Sequence, residues 1–264
     1  MSEDAAGLDG LVIAQLSDTH LFEDPGAELW GASPDEGLDD TIEMLRARTH
    51  HPNFALVSGD CSADGSLESY RRLAGKMKRL GCPTYYVPGN HDDYEVLASE
   101  LALEPSISIP GKLVQVFEAG GWRFLLLDSS IAGSDGGKLG DTQLDWLAGA
   151  LALEPDMSTL VFLHHPPVSV DSPWLDAMML ADGPKLVELI DRSPQVAAVL
   201  FGHVHQEFES KRAGTRYLAA PSTFFQFAPR AAEFAGDGSP PGARVIELTA
   251  GRLETSVARV RGSL

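Results

Sequence analysis

Residues 11–20 read Leu11-Val12-Ile13-Ala14-Gln15-Leu16-Ser17-Asp18-Thr19-His20, a short apolar run that ends on a carboxylate and an imidazole. An apolar run of that length, bounded by polar residues, reads as a buried strand. The arrangement recurs. Further apolar runs lie at residues 54–57, 84–87, 124–127, 160–163 and 196–201, and four of them are followed by a short polar motif. Those motifs are Gly59-Asp60, Gly89-Asn90-His91-Asp92, His164-His165-Pro166 and Gly202-His203-Val204-His205.

Between the early runs the apolar period changes to that of a helix. Leu38, Ile42 and Leu45 form one stripe, and Leu67, Tyr70, Leu73, Met77 and Leu80 form a second. Ser33, Pro34 and Glu36 supply an N-cap, a first-turn proline and a capping box for the first helix, and Gly81 suits the end of the second. Alternation of strand and helix as far as Ile190 predicts an α/β fold. Residues 243–248 and 254–260 alternate like strands of a second, partly antiparallel sheet. The expected architecture is a four-layer αββα sandwich, two mixed sheets flanked by helices. It is expected to form one domain over residues 1–264, with an irregular loop at about 222–242 near the site or an interface.

Composition narrows the function. With 38 acidic against 20 basic residues the formal charge is −18. Such a surface repels nucleic acid and anionic lipid alike, so neither is an expected partner. An anionic substrate needs local attraction, which bound divalent cations supply. Cys61 and Cys82 are too few for a disulfide framework and lack the close spacing of a zinc knuckle or redox motif. The N-terminus lacks the basic start and apolar stretch of a signal peptide, and no run is long enough to span a membrane, so a cytoplasmic location is expected.

In an open α/β sheet the carboxyl ends of the strands line one edge. Motifs at those ends bring together Asp18, His20, Asp60, Asn90, His164, His203 and His205. The set offers carboxylate, amide and imidazole donors and no thiolate, which suits manganese, iron or zinc. Seven donors exceed the four of a single zinc site, and two ions sharing a carboxylate account for the surplus. A pair about 3.5–4 Å apart polarises a phosphoryl group and holds a bridging hydroxide for in-line attack. Taken singly each motif has a plainer reading, as an Asx turn, a Gly-Asp turn or a core histidine. Five in this order do not.

The pattern Asp-x-His, Gly-Asp, Gly-Asn-His-Asp, His and Gly-His-x-His resembles that of the calcineurin-like metallophosphoesterase superfamily, over about residues 11–260. The resemblance implies that Asp18, His20, Asp60 and His205 hold one ion and Asp60, Asn90, His164 and His203 the other, with Asp60 bridging. It places the doublet's ligand at His164, two residues before Pro166, and leaves His165 to orient a ligand. It implies that His91 contacts the phosphate or protonates the leaving group. Asp92 is either an orienter of His91 or a solvated loop carboxylate.

The segments Asp18-Thr19-His20-Leu21-Phe22, Trp174-Leu175-Asp176, Gly202-His203-Val204-His205-Gln206, Pro221-Ser222-Thr223 and Gln226-Phe227 are similar to those of bacterial class III cyclic-nucleotide phosphodiesterases. The expected reaction is hydrolysis of a small phosphodiester, 3',5'-cyclic AMP to 5'-AMP, with two divalent ions. A broad phosphodiesterase, a glycerophosphodiesterase or a phosphonate ester hydrolase is the alternative within enzymes. A partner-binding scaffold without catalysis is the alternative outside them, and such a chain would lack donors that this one has. Phe22, Trp30, Phe224 and Phe225 are candidates to stack a base, and the Phe-rich C-terminal region is a candidate homodimer surface.

Overall fold

The strand β1 (Leu11–Leu16) is apolar on both faces because both are covered. Ile13 packs with Phe54, Phe124 and Phe162 on one side, and Val12, Ala14 and Leu16 pack with Leu38, Ile42 and Tyr70 on the other. In the computed structural model of the protein, residues 10–261 are described; residues 1–9, which hold most of the segment read above as lacking a signal peptide, lie outside them with residues 262–264. After β1 come α1 (Pro34–Arg46), β2 (Phe54–Ser58), α2 (Leu67–Met77), β3 (Thr84–Val87), α3 (Tyr94–Glu100), β4 (Gln115–Ala119) and β5 (Trp122–Leu126). Next follow α4 (Asp141–Leu153), β6 (Thr159–Phe162), α5 (Pro173–Asp176), α6 (Gly183–Asp191), β7 (Val196–Phe201), β8 (Phe208–Arg212) and β9 (Thr215–Ala219). A two-residue ladder, β10 (Gln226–Phe227) with β11 (Gly236–Asp237), precedes the hairpin β12 (Gly242–Thr249) and β13 (Arg252–Arg259).

One sheet has the order β13-β12-β1-β2-β3 and the other β4-β5-β6-β7-β9-β8. Both are mixed: β1, β2 and β3 run parallel, as do β5, β6, β7 and β9, while the remaining neighbours are antiparallel. Three apolar layers separate four structural ones. The middle layer joins Ile13, Leu56, Phe124, Phe162 and Leu200 from both sheets. The outer two pack α1 and α2 on the first sheet, and α4 and α6 on the second. The expected α/β sandwich is therefore observed, with one correction. The hairpin β12–β13 was expected in a second sheet but extends the first, because β12 pairs antiparallel with β1, Leu11 opposite Leu248.

The helix ends follow the sequence signals. Ser33 Oγ accepts from the Glu36 amide at 3.3 Å, with Pro34 in the first turn of α1. A 3₁₀ turn, Lys78–Leu80, ends at Gly81, which takes φ 73°. Among the described residues no helix is long and apolar enough to cross a membrane.

Candidate metal centre

Asp18 and His20 follow β1, Asp60 follows β2, and Asn90 and His91 follow β3. His164 follows β6, and His203 and His205 follow β7. The predicted donors thus come from two sheet edges rather than one: four from the first sheet meet three from the second across the middle layer. Beneath them Gln15 Nε2 donates to Ser58 Oγ and to the Phe201 carbonyl, both at 3.0 Å, and so ties the two edges together.

To turn inward straight off a strand, the chain adopts unusual backbone geometry. Asp18 (φ 54°), His20 (44°), Asp60 (49°), His203 (68°) and His205 (46°) are all left-handed. For a residue with a Cβ this costs about 1–2 kcal/mol each, and such strain collects at functional sites. Two glycines leave the space. A Cβ on Gly59 (φ 95°) would overlap the His164 ring, and one on Gly89 would overlap the Asp60 carboxylate.

Ring orientation is set by carbonyls, which can only accept. His164 Nδ1 donates to the Ser58 carbonyl at 2.8 Å, which turns Nε2 into the cluster. That Nε2 lies 3.1 Å from Asn90 Oδ1 and 3.4 Å from Asp60 Oδ2. His205 Nδ1 likewise donates to the Phe225 carbonyl at 2.9 Å. Its Nε2 lies 3.2 Å from His20 Nε2 and 3.5 Å from Asp18 Oδ1. His20 Nε2 is in turn 3.5 Å from Asp60 Oδ2, and His203 Nδ1 is 3.1 Å from Asn90 Oδ1. The backbone amide of His203 donates to both Asp18 oxygens. Two carboxylates, an amide oxygen and four imidazoles thus converge on one buried spot, and cations between them would draw on the lone pairs of all.

The titration of the groups carries the same demand. Burial acts to lower His164, yet the carboxylates of Asp60 and Asp18 raise it to about 9. Burial acts to raise Asp60, yet the His164 and His20 rings hold it well below the usual carboxylate range. Burial pushes Asp18 up to about 7, helped by the charge of Asp60 and opposed by His164. Burial keeps His20 well below its ordinary value and brings His203 and His205 down to about 3, so these rings are neutral, the form that binds a metal. Groups within this cluster, including Asp18 with His20 and His205, and Asp18 with Asp60 and His164, bring donor atoms within 4.8 Å of one another. A donor set of carboxylate, amide oxygen and neutral imidazole fits two divalent cations.

His165 also brings a ring nitrogen within 4.8 Å of donor atoms of His164 and His203, but both of its nitrogens have other partners. Its Nδ1 meets Ser129 Oγ at 2.8 Å and its Nε2 meets the Asp135 carbonyl at 3.2 Å. His91 is exposed at the mouth, while its backbone amide donates to Asp60 Oδ1 at 2.9 Å. Asp92 orients no His91 ring and is no free loop carboxylate. It accepts from the amides of Gly89, Cys61 and Ser62 and from the Tyr70 hydroxyl, lacing the β2 and β3 loops together.

Two hollows meet at Asn90 and His91. One is a wide cleft of about 900 Å³ lined also by Lys112 and Lys138. The other, of about 110 Å³, is walled by Trp30, Trp174, Phe227 and Phe234. Of the four aromatics singled out in the sequence only Trp30 lines it; Phe224 and Phe225 pack beside it, and Phe22 is absent from it. Trp174 and Phe227 stood in the similar segments quoted above, and Phe234 lies in the 222–242 loop expected near the site or an interface, though it was not singled out there.

This fold and donor set define a metal-dependent phosphoesterase. The calcineurin-like phosphoesterase family matches residues 11–207. The chain is 39% identical over 253 residues to a 3',5'-cyclic-nucleotide phosphodiesterase of Nostoc sp., covering 96% of this chain and 93% of that one. It is also 39% identical over 251 residues to the 3',5'-cyclic adenosine monophosphate phosphodiesterase CpdA of Pseudomonas aeruginosa, covering 95% and 90%. A dimetal phosphatase from Danio rerio shares the fold, with a TM-score of 0.67 at 15% identity over 95% of this chain and 99% of that one. The chain belongs to the calcineurin-like metallophosphoesterase family.

Proposed function

We propose that the chain is a dinuclear phosphodiesterase that hydrolyses 3',5'-cyclic AMP to 5'-AMP. The observation that carries the chemistry is the buried cluster in which carboxylate, amide and imidazole atoms lie 3.1–3.5 Å from one another. The choice of substrate is supported by relatives named as cyclic-nucleotide phosphodiesterases that align over nearly the whole chain. In this reading Asp18, His20, Asp60 and His205 hold one ion and Asp60, Asn90, His164 and His203 the other. His164 is preferred to His165, whose ring nitrogens are both occupied. Two such ions, of manganese, iron or zinc, would supply Lewis-acid polarisation of the phosphoryl group and an activated water.

The chain's own residues do the rest. Ser58 and Phe225 fix the His164 and His205 rings through their carbonyls, so little reorganisation is needed as charge develops. His91, beside the cluster and open to solvent, donates the proton that the departing 3' oxygen requires. The test compares kcat/KM for cyclic AMP, an aryl phosphodiester and the matching aryl monoester on manganese-loaded protein. Cyclic AMP and the diester are expected to exceed the monoester. Faster monoester turnover overturns the diesterase reading, and diester turnover without cyclic AMP cleavage favours the broad-specificity alternative.

A further inference from the structure

We propose that Trp30, Trp174 and Phe234 form the wall that receives the nucleobase of the substrate, an inference that rests on the cyclic-nucleotide reading above. The small hollow is lined at its floor by His20, His203 and His205 and at its sides by these rings, so a phosphate held at the cluster projects its ester substituent among them. No lysine or arginine lines this hollow, whereas two lysines line the wide cleft. With the Asp135 carboxylate and four aromatic rings in its lining, the hollow disfavours a second phosphate and suits a planar base.

Exposure supports the same assignment. Four large apolar side chains are exposed among the described residues, and two of them are Trp30 (42%) and Phe234 (50%), with ring centroids 5.4 Å apart at this mouth. Aromatic surface left in water beside a reaction centre is a ready stacking platform, tolerant of ring identity because every base has a π-face. Trp30 is held there in a left-handed conformation, φ 54°, beside Gly31 at φ 80° and within the bridge between Leu29 and Ala32. Trp174 packs against both Phe227 (4.9 Å) and Phe234 (5.7 Å), and its buried indole N–H has no partner in the protein. Both tryptophans of the wall carry an indole N–H, and the unpartnered one on Trp174 is a donor suited to a ring nitrogen of a purine.

The experiment uses manganese-loaded full-length protein and the variants Trp30→Ala, Phe234→Ala and Trp174→Phe. Turnover of cyclic AMP is compared with turnover of a ribose 3',5'-cyclic phosphate that lacks the base. Removing a ring is expected to raise KM for cyclic AMP about tenfold and to lower the ratio of kcat/KM for the two substrates by a similar factor. Trp174→Phe is expected to lower that ratio less. Equal losses on both substrates, or loss of bound metal, overturn the assignment, because the rings would then only support the metal centre. Preferential cleavage of glycerophosphocholine that falls in the same variants also overturns it, since Asp135 and the rings would then form a cage for a quaternary ammonium. Wild-type protein that cleaves no cyclic nucleotide refutes the function proposed above rather than the wall. Calorimetric binding of 5'-AMP then decides: affinity weakened about tenfold by Trp30→Ala upholds the wall, and undisturbed affinity removes it.

Discussion

His164 Nδ1 lies 2.8 Å from the carbonyl of Ser58, a residue of the other sheet, and this bond turns Nε2 toward Asp60 and Asn90. One hydrogen bond thus selects the tautomer and aligns the two sheet edges. Its neighbour His165 makes no such bond and spends its ring on Ser129 and Asp135. His164→Ala is therefore expected to strip metal far more than His165→Ala, as read by elemental analysis. The reverse order would move the ligand to His165.

Asp60 lies within 3.5 Å of both His20 and His164, one from each proposed ion site. Asp60→Ala is expected to empty both sites, and Asp18→Ala chiefly one. Retention of two tightly held ions and near-normal activity in Asp60→Ala would remove the bridging role.

The His91 amide donates to Asp60, and its exposed ring packs edge-on against His20 with centroids 4.9 Å apart. His91→Ala is expected to keep both metals and to lower kcat by about 10²–10³-fold, the usual loss for a group aimed at transition-state charge. An unaltered kcat, or metal lost with the ring, contradicts the assignment.

Gly75 and Gly89 should respond oppositely to the same change. A Cβ on Gly75, exposed in α2, meets nothing within 4 Å, so Gly75→Ala is expected to stabilise the fold by about 0.5–1 kcal/mol. On Gly89 the added methyl collides with Asp60, and Gly89→Ala is expected to weaken metal binding by 10-fold or more, the loss typical of disturbing the groups that position a ligand. Thermal melts of chelated protein and metal titrations separate the two effects.

Away from the centre, Asp128 is fully buried and its pKa is raised by burial, while Lys112, 3.6 Å away, holds it down. A carboxyl raised in the folded state contributes stability that is complete below its unfolded value and is lost as pH rises through the folded one. Lys112→Met removes the opposing charge, raises the folded value further and deepens that loss. In chelated protein the variant's Tm deficit is therefore expected to be larger at pH 8 than at pH 5, by about 2–4 °C for each ~1 kcal/mol. An equal deficit at both pH values excludes the coupling.

The strands that carry the donors were legible because β1, β2, β6 and β7 are buried on both faces and so are continuously apolar. The edge strands β4 and β8 of the second sheet were not, whereas β3 and β13 at the edges of the first were. β8 reads Phe-Glu-Ser-Lys-Arg and β4 Gln-Val-Phe-Glu-Ala, polar enough to pass for loop because one side of each faces water. Sheet membership of β12 was hidden for another reason: a strand pattern records which faces are covered and not which neighbour supplies the hydrogen bonds. The roles of Asp92 and Phe234 escaped because they depend on contacts with residues distant in sequence, Tyr70 of α2 in one case and Trp30 and Trp174 in the other.

The pairing of β1 with β12 also bears on when the centre comes into being. Leu11 finds Leu248, so the strand that presents Asp18 and His20 is flanked on one side by a partner from the far end of the chain. Loop closure across such a separation is entropically the most demanding, and topologies rich in distant pairings fold slowly. Cation uptake is then expected to follow that pairing. A nascent chain that has not yet released β12 from the ribosome carries every donor residue in its sequence and no finished site.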